Sequence, residues 1–153
     1  MDSRKTQWKR GRGKLGFLAP LIGTWHAMSD SPMGPVSCTR SLAFVLGNNF
    51  VRLEARWQFG DGEYQEHCLI GCDAHGSIRF WSFTSDGKRS EGDVCDVTDI
   101  HPEAIGFQAT MPAGIARMAY WPDGSDGFFW AVESKTKKGW RRFTEHRYRR
   151  LAE

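Results

Sequence analysis

No apolar run in this chain approaches the roughly 18 residues that mark a membrane-spanning helix. The N-terminus carries no apolar core of the secretory kind, so no export signal is expected. There is no Gly-x-Ser-x-Gly elbow and no phosphate-cradling P-loop, which sets aside serine-hydrolase and nucleotide-triphosphatase readings. No stretch repeats, and no composition shift marks a second domain. Cysteines number 4 (Cys38, Cys68, Cys72, Cys95). None stands in a Cys-x-x-Cys, and without an export signal they read as free thiols in a reducing cytoplasm. No metal site is expected from them. "DGSDGFFWAVE" resembles a calcium loop only in flavour, because Phe128 takes the place of the tight-turn glycine. It reads as a turn leading into a strand.

What is present suits one domain. A chain of 153 residues buries about 70% of the surface its unfolded form exposes. The net charge of +3 conceals a division. Residues 1–14 carry 6 Lys/Arg and 1 Asp, residues 135–153 carry 8 Lys/Arg and 2 Glu, and the acidic residues concentrate between them. The start, "RKTQWKRGRGK", has no apolar period, so residues 1–13 are expected to form a basic flexible tail. A nucleic-acid arm is the sharper interpretation of that charge and is not the preferred one. Trp8 is the one residue such a tail does not need.

"KLGFLAPLIG" (14–23) has the apolar spacing of a short helical turn, limited by Pro20. Beyond it, apolar–polar alternation persists with turn residues about every ten positions, the pattern of an all-β sandwich or barrel. In "SLAFVLGNNFVRLEARW", two β-rich runs flank Gly47-Asn48-Asn49, a hairpin signal. Asp73-Ala74-His75-Gly76 and Ser85-Asp86-Gly87 mark further turns. Strands are expected at 24–29, 36–46, 90–97, 104–110, 115–121, 128–134 and 140–151, with others between, about ten in all by the alternation rule. Short connections imply up-and-down antiparallel order, and the absence of covering helices favours closure. The expected fold is an all-β, up-and-down antiparallel barrel with a short N-terminal helical turn.

A helical turn, then Gly23-x-Trp25 at the start of the first strand, then such a barrel, resembles the lipocalin-like (calycin) superfamily. The resemblance implies that Trp25 closes one barrel end, that Gly23 lets the chain turn into the floor, and that a last-strand arginine, here Arg150, covers the indole. The succession "LIGTW", "R-x-L-x-x-V-L-G-x-x-F-V-R", "G-C-D", "F-W-S-F" and "H-R-Y-R-R" is similar to an uncharacterised bacterial barrel family neighbouring the nitrobindins, over roughly residues 18–151. Nitrobindins bind haem through a last-strand His. Their Gly-rich signature after the Trp is replaced here by "HAMSDSPMGP", and their ligand position falls nearer Phe143 or Glu145 than His146. The expectation is therefore no cofactor, with haem as the alternative.

Of 5 histidines, His75 and His101 fall in turns. His26 opposes the face of Trp25, and His67 opposes Cys68. If Arg150 covers Trp25, alternation turns Tyr148, His146, Thr144 and Arg142 inward. His146 and Tyr148 are thus expected to line the cavity, with Arg52, His67 and Trp81 added from other strands. Glu63 and Glu66, or Glu54 with Arg52 and Arg56, read as cross-strand pairs on a solvated face, with cavity acids and bases as the other reading. Trp57, Trp81, Trp121, Trp130 and Trp140 belong either to core and rim or to an aromatic-lined cavity.

The expected function is a cytoplasmic barrel holding a small, largely apolar molecule. A nitrobindin-like haem protein and a small biosynthetic enzyme, a cyclase or isomerase working in the cavity, stand as alternatives. The expected partners are that ligand and, as an open option, a second copy in a homodimer, with neither membrane nor nucleic acid.

Overall fold

The computed structural model describes residues 8–32 and 34–151. A short 3-10 turn, Gly16–Leu21, precedes ten strands: β1 (Gly23–Ser31), β2 (Gly34–Val45), β3 (Phe50–Phe59), β4 (Gly62–Cys72), β5 (Ile78–Thr84), β6 (Arg89–Cys95), β7 (Ile105–Met111), β8 (Gly114–Pro122), β9 (Gly127–Thr136) and β10 (Gly139–Arg150). Every neighbour in sequence pairs antiparallel, and β10 closes on β1 through Trp25↔Arg150 and His26↔Arg149. The all-β, up-and-down barrel read from the alternation is the fold observed. Closure leaves no edge strand to aggregate.

Period-two alternation decides what lies inside. On β2, Val36, Cys38, Arg40 and Leu42 are buried; on β3, Val51, Leu53 and Ala55 are buried and pair with inward residues on both sides. The turn after β2 begins one residue earlier than expected. Leu46, Gly47 and Asn48 all adopt positive φ, so a leucine shares the left-handed conformation expected only of the Gly and Asn residues.

One end of the barrel is sealed. Leu18 and Leu21 of the 3-10 turn are wholly buried, and the Trp25 indole Nε1 donates to the Leu21 carbonyl at 2.8 Å. Trp25 meets Phe128 edge-on at 4.8 Å. The Arg150 guanidinium lies 4.3 Å from the Trp25 ring centre and bonds Asp126 at 3.2 Å. Gly23 has φ +139°, and a Cβ there would run into the Arg150 Nη1. Sequence reasoning anticipated this floor.

Residues 1–7 of the expected tail lie outside the described residues. Residues 8–13 are attached to the body: Trp8 packs against Phe128 at 6.4 Å, its indole donates to the Glu103 carbonyl at 3.1 Å, and the Gly11 amide bonds the Gly16 carbonyl at 2.7 Å. The start of the barrel domain drawn at residue 14 therefore falls inside a packed segment.

The antiparallel order places the β1–β2, β3–β4, β5–β6, β7–β8 and β9–β10 turns together at the end opposite the floor. There β10 carries a bulge: Arg142 pairs with Glu133 but Thr144 pairs with Val132, so Phe143 is the extra residue. The bulge reverses the expected face of Arg142. It points outward, bonded to Glu133 at 2.9 Å, and does not join Thr144, His146 and Tyr148 inside. Glu133 also binds Arg117, which holds Asp99 with two hydrogen bonds of 3.1 and 2.7 Å. Trp140 covers Arg117 at 4.2 Å, and Arg117 and Glu133 are buried although they lie on the outer face.

Candidate functional site

At the end away from the floor the barrel opens into a cavity of about 790 Å³. Trp57, Phe59, Tyr64, Trp130 and Val132 form apolar walls, and Glu66, Ser82 and His146 supply polar groups. Lys88, Arg89, Asp30 and Glu145 lie around it as well. A second hollow of about 490 Å³, bounded by Phe80, Phe107, Ala109, Met118 and Ala116, shares Glu66, Ser90, Met111, Val132 and Phe143 with the first. The interior thus offers two joined lobes, one mixed and one mainly apolar.

The polar groups have identifiable positions. Glu66 belongs to the inward set of β4 with Tyr64, Cys68 and Ile70, and it accepts a hydrogen bond from the buried Ser82 hydroxyl of β5. His146 stands on β10, its ring 5.2 Å from Trp130 and 6.0 Å from Tyr148. Burial first, and the nearby Arg40 charge second, hold its imidazole below the usual histidine range. It is neutral at neutral pH.

Arg40 is the least expected member. It sits mid-β2, 1% exposed, within a cage of aromatic rings: Trp130 at 4.5 Å, Tyr148 at 5.5 Å, and Trp57 and Tyr120 at 5.7 Å. Its Nη1 donates to the Tyr120 hydroxyl at 2.8 Å. Its Nε and Nη2, the Tyr148 hydroxyl and the His146 Nδ1 are buried without a well-formed hydrogen bond. No carboxylate of the described residues forms an ion pair with it, although Glu66 acts on it electrostatically. Burial opposes its charge, but the intrinsic basicity of a guanidinium and the nearby Glu66 keep it protonated.

Two thiols share the interior. Burial pushes Cys38 up to about 11 and Cys68 up to about 12. Neither is a thiolate nucleophile at neutral pH.

The structure brings together only part of the expected lining. His146 borders the cavity, and Tyr148 is buried beneath it beside Arg40. Arg52, His67 and Trp81 all face outward, a correction with one cause: each has the parity opposite to the buried set of its strand. Arg52 alternates with Val51 and Leu53, and its half-exposed side chain pairs with Glu54 at 3.2 Å. His67 is exposed between Glu66 and Cys68, and Trp81 stands outside between Phe80 and Ser82. Trp57 and Trp130 are cavity walls, whereas Trp121 and Trp140 stack against arginines outside. Glu66, read as a solvated acid, is inside. Arg40 and Glu66 carried a usable signal, a charge at a position whose i±2 neighbours are apolar.

No protein-family model matches the chain, and no curated protein matches it. Solved structures do. Rv2717c from M. tuberculosis superimposes with a TM-score of 0.57 at 13% identity, over 90% of this chain and 97% of that one. A de novo designed fluorescence-activating β-barrel matches with a TM-score of 0.42 at 17% identity, over 85% of this chain and 93% of that one. At such identities the likeness to Rv2717c concerns the fold alone.

Proposed function

We propose that this barrel binds a small, flat, largely apolar molecule in its interior. The observation that carries the reading is the open cavity walled by Trp57, Phe59, Tyr64 and Trp130, with Glu66, Ser82 and His146 converging on it. Aromatic walls with few polar groups suit orientation of a ligand better than difficult chemistry. A lipocalin-like ancestry, neighbouring the nitrobindins, accords with the Trp25–Arg150 floor. The outer strand faces carry Arg52–Glu54, Arg56–Glu63 and Arg79 with Glu91 and Asp93. Such charges do not suit a lipid-facing apolar band. Together with four unpaired thiols, they support a cytoplasmic protein.

Titration with N-phenyl-1-naphthylamine tests this. Saturable fluorescence enhancement is expected, weakened by Trp130→Ala and Trp57→Ala. Absence of saturable binding to the folded protein overturns the reading.

A haem protein is the second reading, favoured by the inward, neutral imidazole of His146. That residue would hold the iron; haem would supply redox and diatomic-gas chemistry. The guanidinium beside the imidazole disfavours another cation there, which ranks this reading lower. Hemin titration decides: a stoichiometric Soret shift lost in His146→Ala promotes it. Glu66 and His146 face one cavity, so an acid–base enzyme is the third reading. Turnover lost in Glu66→Gln and His146→Asn, with probe binding retained, would support it.

A further inference from the structure

We propose that Arg40 is the anchor for an oxyanion, and that the ligand of the barrel is an aromatic or apolar molecule bearing a carboxylate. This rests on the interior-binding reading and names the head group that reading leaves open.

A buried guanidinium without an anionic contact is costly, because burial removes its hydration and nothing replaces it in full. The aromatic cage offsets part of that cost through cation–π attraction. It leaves hydrogen-bond donors unused, and which donors these are is informative. Nη1 is taken by Tyr120. Nε and Nη2 have no well-formed hydrogen bond, although the Tyr148 hydroxyl is near enough to interact with the guanidinium, and their N–H bonds run parallel along one edge of the planar group. That edge receives both oxygens of a carboxylate. The Tyr148 hydroxyl, which interacts with Arg40 and Cys38 without a well-formed hydrogen bond, and the neutral His146 with its unpartnered Nδ1 belong to the same aromatic cluster. Each donates one further bond to a carboxylate.

Arg40 lies one side-chain layer from open space, since Trp57 and Trp130 both touch the guanidinium and line the cavity. Rotation of a side chain in that layer uncovers the free edge, and rotamer changes of this kind are common on binding. Glu66 approaches the cavity from β4 with Ser82 as its partner. Its like charge disfavours the carboxylate on that side, so the head is directed to Arg40 and the apolar body to the lobe of Phe80, Phe107 and Met118.

The test compares 2-naphthoate with 2-naphthamide by calorimetry on the full chain, the two differing in head-group charge. Charge-assisted bonds to the guanidinium predict at least about tenfold tighter binding of the acid. Arg40→Met is expected to abolish the preference, and Tyr148→Phe to reduce it. The wild-type comparison needs no variant, so misfolding of either leaves the test intact. Equal binding of the two, tighter binding of the amide, or binding of neither overturns the anchor. If N-phenyl-1-naphthylamine still binds, interior binding survives that result; if it does not, both fail.

Discussion

The Arg150 guanidinium lies 4.3 Å from the centre of the Trp25 ring while the indole N–H, in the ring plane, donates to the Leu21 carbonyl. The last strand, the first strand and the 3-10 turn thus meet at a single indole. Trp25→Ala is expected to cost about 3–5 kcal/mol, the range of large aromatic truncations in cores. Arg150→Ala, which removes a half-exposed cation from one face, is expected to cost about 0.5–1 kcal/mol. Urea denaturation of the two variants checks the order; equal costs would mean that the arginine is as much part of the floor as the indole.

Trp8 makes removal of residues 1–13 a change to the body as well as to the tail. Its ring contact with Phe128 and its bond to the Glu103 carbonyl are expected to contribute about 1 kcal/mol. Trp8→Ala should then lower the thermal midpoint by about 2–4 °C. An unchanged midpoint would show that the segment is dispensable, as its charge pattern alone implies.

His146 links stability to pH with a definite sign. Burial and Arg40 lower its folded-state pKa below the ordinary 6.5. As pH falls through the ordinary value the unfolded chain takes up a proton that the folded chain refuses, so stability declines until the lowered folded value is passed. The urea midpoint of the wild type should fall more steeply than that of His146→Gln between pH 7.5 and pH 5.5, a window of about two units spanning the reference value. Parallel curves would place the acid sensitivity elsewhere.

Glu133 joins Arg117 to Arg142 on the outer face of the barrel, and the Arg117 and Glu133 side chains are 6% and 8% exposed. Glu133→Ala leaves Arg117 buried with Asp99 alone. A loss of about 3 kcal/mol is expected, the lower end for breaking a buried ion pair. Arg117→Met with Glu133→Leu together should restore much of it, measured by urea denaturation.

Most of the fold was legible because strand alternation and turn chemistry are local. The hairpin signal at Gly47-Asn48-Asn49 and the Gly23-x-Trp25 floor both depend on residues close in sequence. The cavity was less so. His146 and Tyr148 were placed by tying their parity to Arg150, a single long-range contact. Arg52, His67 and Trp81 had no such tie, and chemical appeal substituted for it; Val51, Leu53, Cys68 and Phe80 claimed the inner positions. Arg40 was passed over because the rule that arginines face water outweighed its place between Cys38 and Leu42. Its exception depends on four rings from β3, β8, β9 and β10, a meeting that no single strand announces.

The extra residue at Phe143 acts on β10 as an insertion acts on a reading frame. On its C-terminal side even-numbered positions face the ligand space; on its N-terminal side Arg142 faces the outer surface. Any gapless alignment carried through this strand will therefore assign one half to the wrong side of the barrel wall. Deleting Phe143 makes Arg142 and Thr144 neighbours in an unbroken ladder, so Arg142 keeps its outward place against Glu133 and Thr144 its inward place against Val132. One bulge, centred on a residue that is 60% exposed, thereby keeps a second guanidinium out of the barrel, since regular alternation from Thr144 through Phe143 would turn Arg142 inward.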